Sequence, residues 1–475
     1  MPADRLLASL LRSFQNVHSP SETSRLTLSN SLFFNSASLL ATLSNPLNIT
    51  LLTSQILTST ALWDHPDGLR VCHRVLGIFQ SASLAILQDQ ETRPSGRQQR
   101  QRLDRTEWVK AVVKGADERS PRWKHLLPIA GLLLGFEGQG HRGLSEGVRR
   151  DLESALVLAT NLAVEQVGRR EDGLDGFCIA LVLNYSFELL SDRRKRDLHY
   201  EDKSTTFFFL QRLSSRPLIA SMGPFSRLVA HSVQSVRDPF LLHRLVDNIA
   251  LFARTLTTQW RQNKLSEIDP SESSIYLDDQ AMRFTIPLLW KVLRSAMFAS
   301  VAILRAVMGR ILLDRSLAAD GSAPILASNV LHSLRNFYFI TSNLGPNAFT
   351  THNFVLLTAV DVLTTYPSHA TSFIREIQPH SLGRIPRHPL DRTLDLFFLN
   401  TAEHFTFALS PQVNEEVLIA AVSPYLAGGH HKNLLEMFEA AHSVFLSVMK
   451  APGNAELAGR VIPFYVDAVF KVCDP

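Results

Sequence analysis

Apolar residues return at every third or fourth position along most of this chain, and that spacing suits helices with one buried face. Between Asp238 and Gln262 the apolar positions are Leu241, Leu242, Leu245, Val246, Ile249, Phe252, Ala253, Leu256 and Trp260. Leu152, Leu156, Ala159, Leu162 and Ala163 repeat the pattern, as do Cys72, Val75, Leu76, Phe79 and Ile86. Helix starts are marked by Asn45-Pro46, Asp238-Pro239 and Ser410-Pro411. In each pair a side-chain oxygen can accept an N–H that the first turn leaves unpaired, and proline at the first helical position forfeits no hydrogen bond. Ser19-Pro20 and Ser120-Pro121 have the same form. Strand signals are weak, since Asp67-Gly68 and Asp172-Gly173 fall between helical patterns rather than between alternating β-branched runs. The expected fold is all-α, an irregular α-solenoid-like array of antiparallel helices of the HEAT or armadillo sort, without a fixed repeat period.

A chain of 475 residues, 45% of them hydrophobic, can bury a large core. Charged residues make up only 19% and mean hydropathy is +0.03, which favours extensive burial or an apolar face for a partner. The net charge of +4 is scattered rather than gathered on one face, so no nucleic-acid partner is expected. Cys72, Cys178 and Cys473 are odd in number and far apart, which fits neither a disulfide framework nor a zinc site, and points to a reducing compartment or at least to a fold independent of disulfides. Residues 1–17 read as an amphipathic helix, with Leu6, Leu7, Leu10, Leu11 and Phe14 interrupted by Arg5 and Arg12, and not as a secretory signal. Two stretches approach the length of a membrane span. Leu26–Trp63 is uncharged but rich in Ser, Thr and Asn and broken by Pro46, and Ile286–Leu313 contains Lys291, Arg294, Arg305 and Arg310. Both read as buried helices, so membrane association is expected to be peripheral at most.

The clearest break is Gln88–Arg119, where Arg93-Pro94-Ser95-Gly96-Arg97-Gln98-Gln99-Arg100 is poor in apolar residues. The expected organisation is an N-terminal helical segment at 1–88, an Arg/Gln-rich linker at 89–119 relieved at most by a short helix near Trp108, and a helical array at 120–475. Shorter breaks at 263–274, 314–323, 378–392 and 451–454 read as loops between helices.

Motifs that could carry chemistry all have plainer readings. Gly138-Gln139-Gly140-His141-Arg142-Gly143 matches GxGxxG, but a dinucleotide site needs a strand before it, and Pro128 and Gly131 interrupt the preceding apolar run. It reads as a glycine-rich loop between helices. His430-His431 lacks the further ligands a metal needs, and Glu403-His404 lacks the second histidine of a zinc-protease helix. Arg193-Arg194-Lys195-Arg196 lies between Asp192 and Asp197, as a solvated loop would. No nucleophile elbow, phosphate loop or kinase triplet is present. No enzyme activity, catalytic residue, cofactor or metal is therefore expected. Phe207, Phe208 and Phe209 form a dense apolar patch, which reads first as core and otherwise as an aromatic anchor for a partner.

Four passages carry a family resemblance: Met1–Val17, Asn45–Ser81, Thr205–Ser232 and Leu334–Val362. In their order and text the chain resembles the fungal peroxin eight family. The resemblance implies a non-enzymatic factor on the luminal side of the peroxisomal membrane. Its implied partners are the receptor-docking complex and the RING-finger ubiquitin-ligase complex, which it links, and the cycling import receptor, which it binds. Members of that family commonly carry a targeting signal of their own. Here the last residues are Val472-Cys473-Asp474-Pro475, Arg5-Leu6 leads to Arg12-Ser13, and Arg227-Leu228 leads to Gln234-Ser235, so none fits the signal patterns. A truncated chain or import by another route is expected. The alternative reading is a general α-solenoid adaptor in trafficking or nuclear transport. A third, an enzyme built on the Gly138 stretch, would require a strand, a loop and a helix there.

Overall fold

The computed structural model describes residues 2–15, 33–63, 68–91, 103–117, 119–136, 144–165, 207, 210–211, 222–269, 272–277, 281–315, 317, 321–344, 350–428 and 434–473. All regular structure among them is helical, as the apolar spacing expects. The three Pro-marked starts are realised. Asn45 accepts from the Leu47 N–H at 2.9 Å, Asp238 from the Phe240 N–H at 2.9 Å, and Ser410 from the Val413 N–H at 3.3 Å. Ser120 differs. Its hydroxyl meets the Asp117 carbonyl and, at 3.0 Å, His125 Nε2, so it braces a 3-10 turn instead of capping a helix.

The chain divides into two compact units, Met1–Leu181 with Ser215–Leu245, and Val182–Ser214 with Val246–Pro475. This division differs from the sequence boundaries at 88 and 119, because helices on both sides of 89–119 pack together. In the first unit the principal helices are α1 (Pro2–Gln15), α2 (Pro46–Thr58), α3 (Gly68–Glu91), α4 (Arg105–Gly115), α5 (Leu126–Phe136), α6 (Glu146–Glu165) and α7 (Met222–Ser235). Helix α3 extends to Glu91, into the expected linker, and α4 lies wholly within it, capped by Asp104. Helix α4 buries Trp108, Val109, Ala111 and Val112, and the Trp108 indole donates to the Leu40 carbonyl at 2.9 Å. Residues 92–102 lie outside the described residues. The amphipathic α1 turns Leu7, Leu10 and Phe14 inward, and Ser59 Oγ donates to the Phe14 carbonyl at 2.9 Å.

The second unit runs through α8 (Pro239–Gln262), whose first residues belong to the first unit, then α9 (Ile286–Leu313), α10 (Ser322–Thr341), α11 (Thr350–Thr364) and α12 (Pro367–Ile377). It continues with α13 (Pro389–Ala402), α14 (Ala420–Ala427), α15 (Leu435–Lys450) and α16 (Ala455–Cys473). Helices separated along the chain pack on one another through interlocking aromatics. Trp260 of α8 stacks on Phe339 of α10 with centroids 5.2 Å apart, and Tyr338 of α10 meets Phe397 of α13 edge-on at 5.2 Å. Met282–Leu313 is long and apolar enough to cross a membrane, but 67% of its most apolar window is buried within the protein. The four basic residues of α9 and its burial against α10 and α11 make it a core helix of a stacked array.

Two glycines set the close approach of α3 and α5. A Cβ on Gly131 would lie 2.7 Å from the Leu76 carbonyl oxygen and from Phe79 Cβ, and one on Gly135 would lie 2.5 Å from Ser83 Cβ. Helices α3 and α5 thus touch backbone to backbone, and the glycine that seemed to interrupt an apolar run is the contact itself. Gly131→Ala should therefore destabilise the protein by roughly 1–3 kcal/mol through overpacking. Gly77→Ala on α3, with nothing within 4 Å of the added carbon, should instead stabilise it by about 1 kcal/mol. Urea unfolding of the two variants checks the opposed signs, and a neutral Gly131→Ala would mean that α3 and α5 are not in backbone contact.

Candidate functional site

Most of the residues singled out by sequence lie outside the described residues. Phe207 is helical and half-buried, next to a fully buried Leu210, while Phe208 and Phe209 lie outside the described residues. So do Gly138–Gly143, Arg193–Arg196 and His430-His431. The run that leads into the glycines, Leu126–Phe136, is a helix and not the strand a dinucleotide site requires. Among the described residues no three His, Cys, Asp or Glu side chains are grouped as metal ligands. His404 contacts only its neighbour Glu403 at 3.4 Å among the ion pairs described for it.

Among the described residues, one group of polar ties is centred on α13. Pro389 occupies its first position, and His388 caps it by accepting the Leu390 N–H on Nδ1 at 3.1 Å. Asp391 sits in the first turn, where the helix dipole favours an anion. Arg261, at the end of α8, grips Asp391 with two hydrogen bonds of 2.8 and 2.7 Å. Arg392 reaches the other way, to Asp269 at 2.8 Å. One turn further, Asp395 is 6% exposed and accepts a 2.7 Å hydrogen bond from the Tyr425 hydroxyl of α14.

Burial pushes the Asp395 carboxyl up to about 6, aided by the charge of Asp391, while the Tyr425 hydrogen bond and Arg335 pull against the rise. Burial and the facing carboxylate also raise the Tyr425 phenol far above its ordinary range. Burial lowers the Arg335 guanidinium on α10, with Asp395 and Asp391 opposing. Asp395 and Tyr425 are sealed from solvent, so the pair fastens α13 to α14. The same helix is tied to α8 and to the 264–269 turn by its two arginine–aspartate bridges.

In front of α13 lies the loop Gln378–His388. Arg392 Nη1 donates to the carbonyls of Pro386 at 3.3 Å and Arg387 at 2.7 Å, pinning the loop's second half. Gly383 turns with φ +80°, a conformation that favours glycine, and Pro379 is buried beneath. The pinned backbone presents His380, Leu382, Arg384 and Arg387 to solvent, and no acidic residue occurs between Ile377 and Asp391. Sequence reading placed a loop here, but only this acid-free run of cations could have marked it as a site. A second exposed feature is apolar. Ile462, Val466 and Phe470 recur every four residues on α16, while Tyr465 on the same helix stacks on Phe445 of α15 at 4.2 Å.

Comparison with known proteins agrees with this architecture. Residues 1–195 match a family model described as "Peroxin 8 protein-like, N-terminal domain", and residues 370–450 match one described as "PEX8 central TPR-like domain". The second match contains both the Asp395–Tyr425 pair and the basic loop. The peroxisomal biogenesis factor 8 of Pichia angusta is 24% identical over 205 residues, which is 42% of this chain and 29% of that protein. The peroxisomal membrane protein PEX17 of Yarrowia lipolytica is 23% identical over 307 residues, 61% of this chain and 43% of that protein. The chain thus spans less than half the length of these curated relatives. No solved structure matches.

The raised Asp395 carboxyl has a consequence for stability. Between pH about 4 and about 6 the folded protein keeps a proton that the unfolded chain has lost, so stability falls as pH rises through that window and is level above it. The fall attributable to this group is on the order of 3 kcal/mol. Asp395→Asn keeps an acceptor for Tyr425 but cannot ionise. Urea unfolding of wild type and variant across that window should show the wild type losing stability relative to the variant, and parallel curves would place Asp395 in contact with water.

Proposed function

The chain is a peroxin 8-like protein, and on that premise we propose that it is a non-enzymatic peroxisome biogenesis factor acting as a helical scaffold in matrix-protein import. Its work is to bridge the receptor-docking complex and the RING-finger complex and to bind the cycling import receptor, from the luminal side of the membrane, with peripheral attachment at most. The observation that carries this reading is the pair of peroxin 8 family matches, which together cover more than half of the chain. The use of polar groups supports it. Arg261, Asp391, Arg392, Asp269, Asp395 and Tyr425 are spent on holding helices together. The exposed loop cations and the apolar stripe on α16 leave surfaces for protein partners.

A bridge acts by raising the concentration of each complex near the other, with no bond made or broken. Loss of the gene should therefore leave matrix enzymes in the cytosol while peroxisomal membranes with their membrane proteins persist. Fractionation of the deletion strain measures this, together with protease protection of the tagged chain. Normal matrix import, or a tagged chain digested on intact organelles, would contradict the bridging role or the luminal placement respectively.

A further inference from the structure

We propose that the loop Gln378–His388 is a docking site for an acidic segment of a partner protein, whose carboxylates are taken by Arg384 and Arg387. The loop is an exposed, ordered, positively charged surface with nothing negative within it. Of the acids on α13 and the 264–269 turn, Asp391 is engaged by Arg261 and Asp269 by Arg392. Among the described residues neither Arg384 nor Arg387 forms an ion pair. Both guanidiniums therefore stand toward solvent with their donors available.

The backbone under them is fixed in advance. Arg392 holds the carbonyls of Pro386 and Arg387, the Arg384 N–H donates to the Ser381 carbonyl at 3.3 Å, and Ile385 lies against Gly428 at the end of α14. A ligand that binds here need not order the loop, which removes a cost that flexible basic segments bear.

The residue types select the ligand. Both fixed charges are arginines, whose planar forks match carboxylates in a bidentate way. Exposed Leu382 between them and His380 offers an apolar contact for a side chain next to the acids. A membrane surface fits less well. Recruitment to anionic lipid uses clusters of roughly four to eight basic residues, and this loop has two arginines and no large aromatic to insert. The inference rests on the scaffold reading only in taking the ligand to be a protein.

The test uses the full chain and fluorescently labelled peptides that carry paired glutamates at systematically varied separations, with anisotropy read at rising salt. Wild type should bind at least one spacing and lose it with salt. The double variant R384E/R387E should weaken binding by roughly tenfold or more. The variant R384K/R387K, which keeps the charge but not the fork, should weaken it in part. Circular dichroism and melting temperature should match wild type in both, since the two side chains are exposed. Three results would overturn the proposal: no peptide bound by wild type, binding indifferent to R384E/R387E, or arginine-dependent binding to phosphatidylserine vesicles without peptide binding. Because binding is measured on the isolated protein, a failure of the import role leaves this outcome unaffected, and the reverse also holds.

Discussion

A helix with one apolar stripe gains little in water until another helix covers that stripe, and each unit of this protein depends on that mutual burial. Covering is rarely done by bulk alone. Where α3 meets α5, two glycines remove the side chains that would hold the backbones apart. Where α8 meets α10, large rings fill the gap instead, with Trp260 on Phe339 and Phe252 on Phe337. The same requirement is thus met by the smallest residue in one unit and by the largest in the other. In the first unit the polar groups follow where the apolar faces lead. Trp108 and Trp63 each direct an indole N–H to a backbone carbonyl, so burying the ring does not strand its donor.

Much of this was legible in the sequence because its signals are local. A cap is decided by two adjacent residues, and Asn45, Asp238 and Ser410 behave in the structure as their neighbouring prolines suggest. Periodicity found the buried face of α8, with Leu245 and Ile249 both inside. Within the linker at 89–119 the one expected exception, a short helix near Trp108, is present as α4. The short stripe of Trp108, Val109 and Val112 is enough to dock a helix of eleven residues, and Asp104 just ahead of it supplies the cap.

The ties around α13 were not legible, for a simple reason. Arg261 and Asp391 are 130 residues apart and Arg392 and Asp269 are 123 apart. No spacing rule links such pairs, and nothing in the text distinguishes them from other surface charges. The aromatic triplet at 207–209 drew attention by density, yet density marks burial as readily as recognition. The loop at 378–388 reads in sequence only as a connection between helices, because its character comes from what is missing, a negative charge, and from a backbone that Arg392 of the following helix immobilises.

That arginine holds two things at once. Arg392 clasps Asp269 through one nitrogen and the loop carbonyls through another. The 264–269 turn and the 378–388 loop are therefore not independent parts but two ends of a single latch. Removing that one guanidinium would take a tie from both at once. The surface that the loop presents is therefore set in part by a side chain that does not belong to it, at a point where two separate stretches of chain share one anchor.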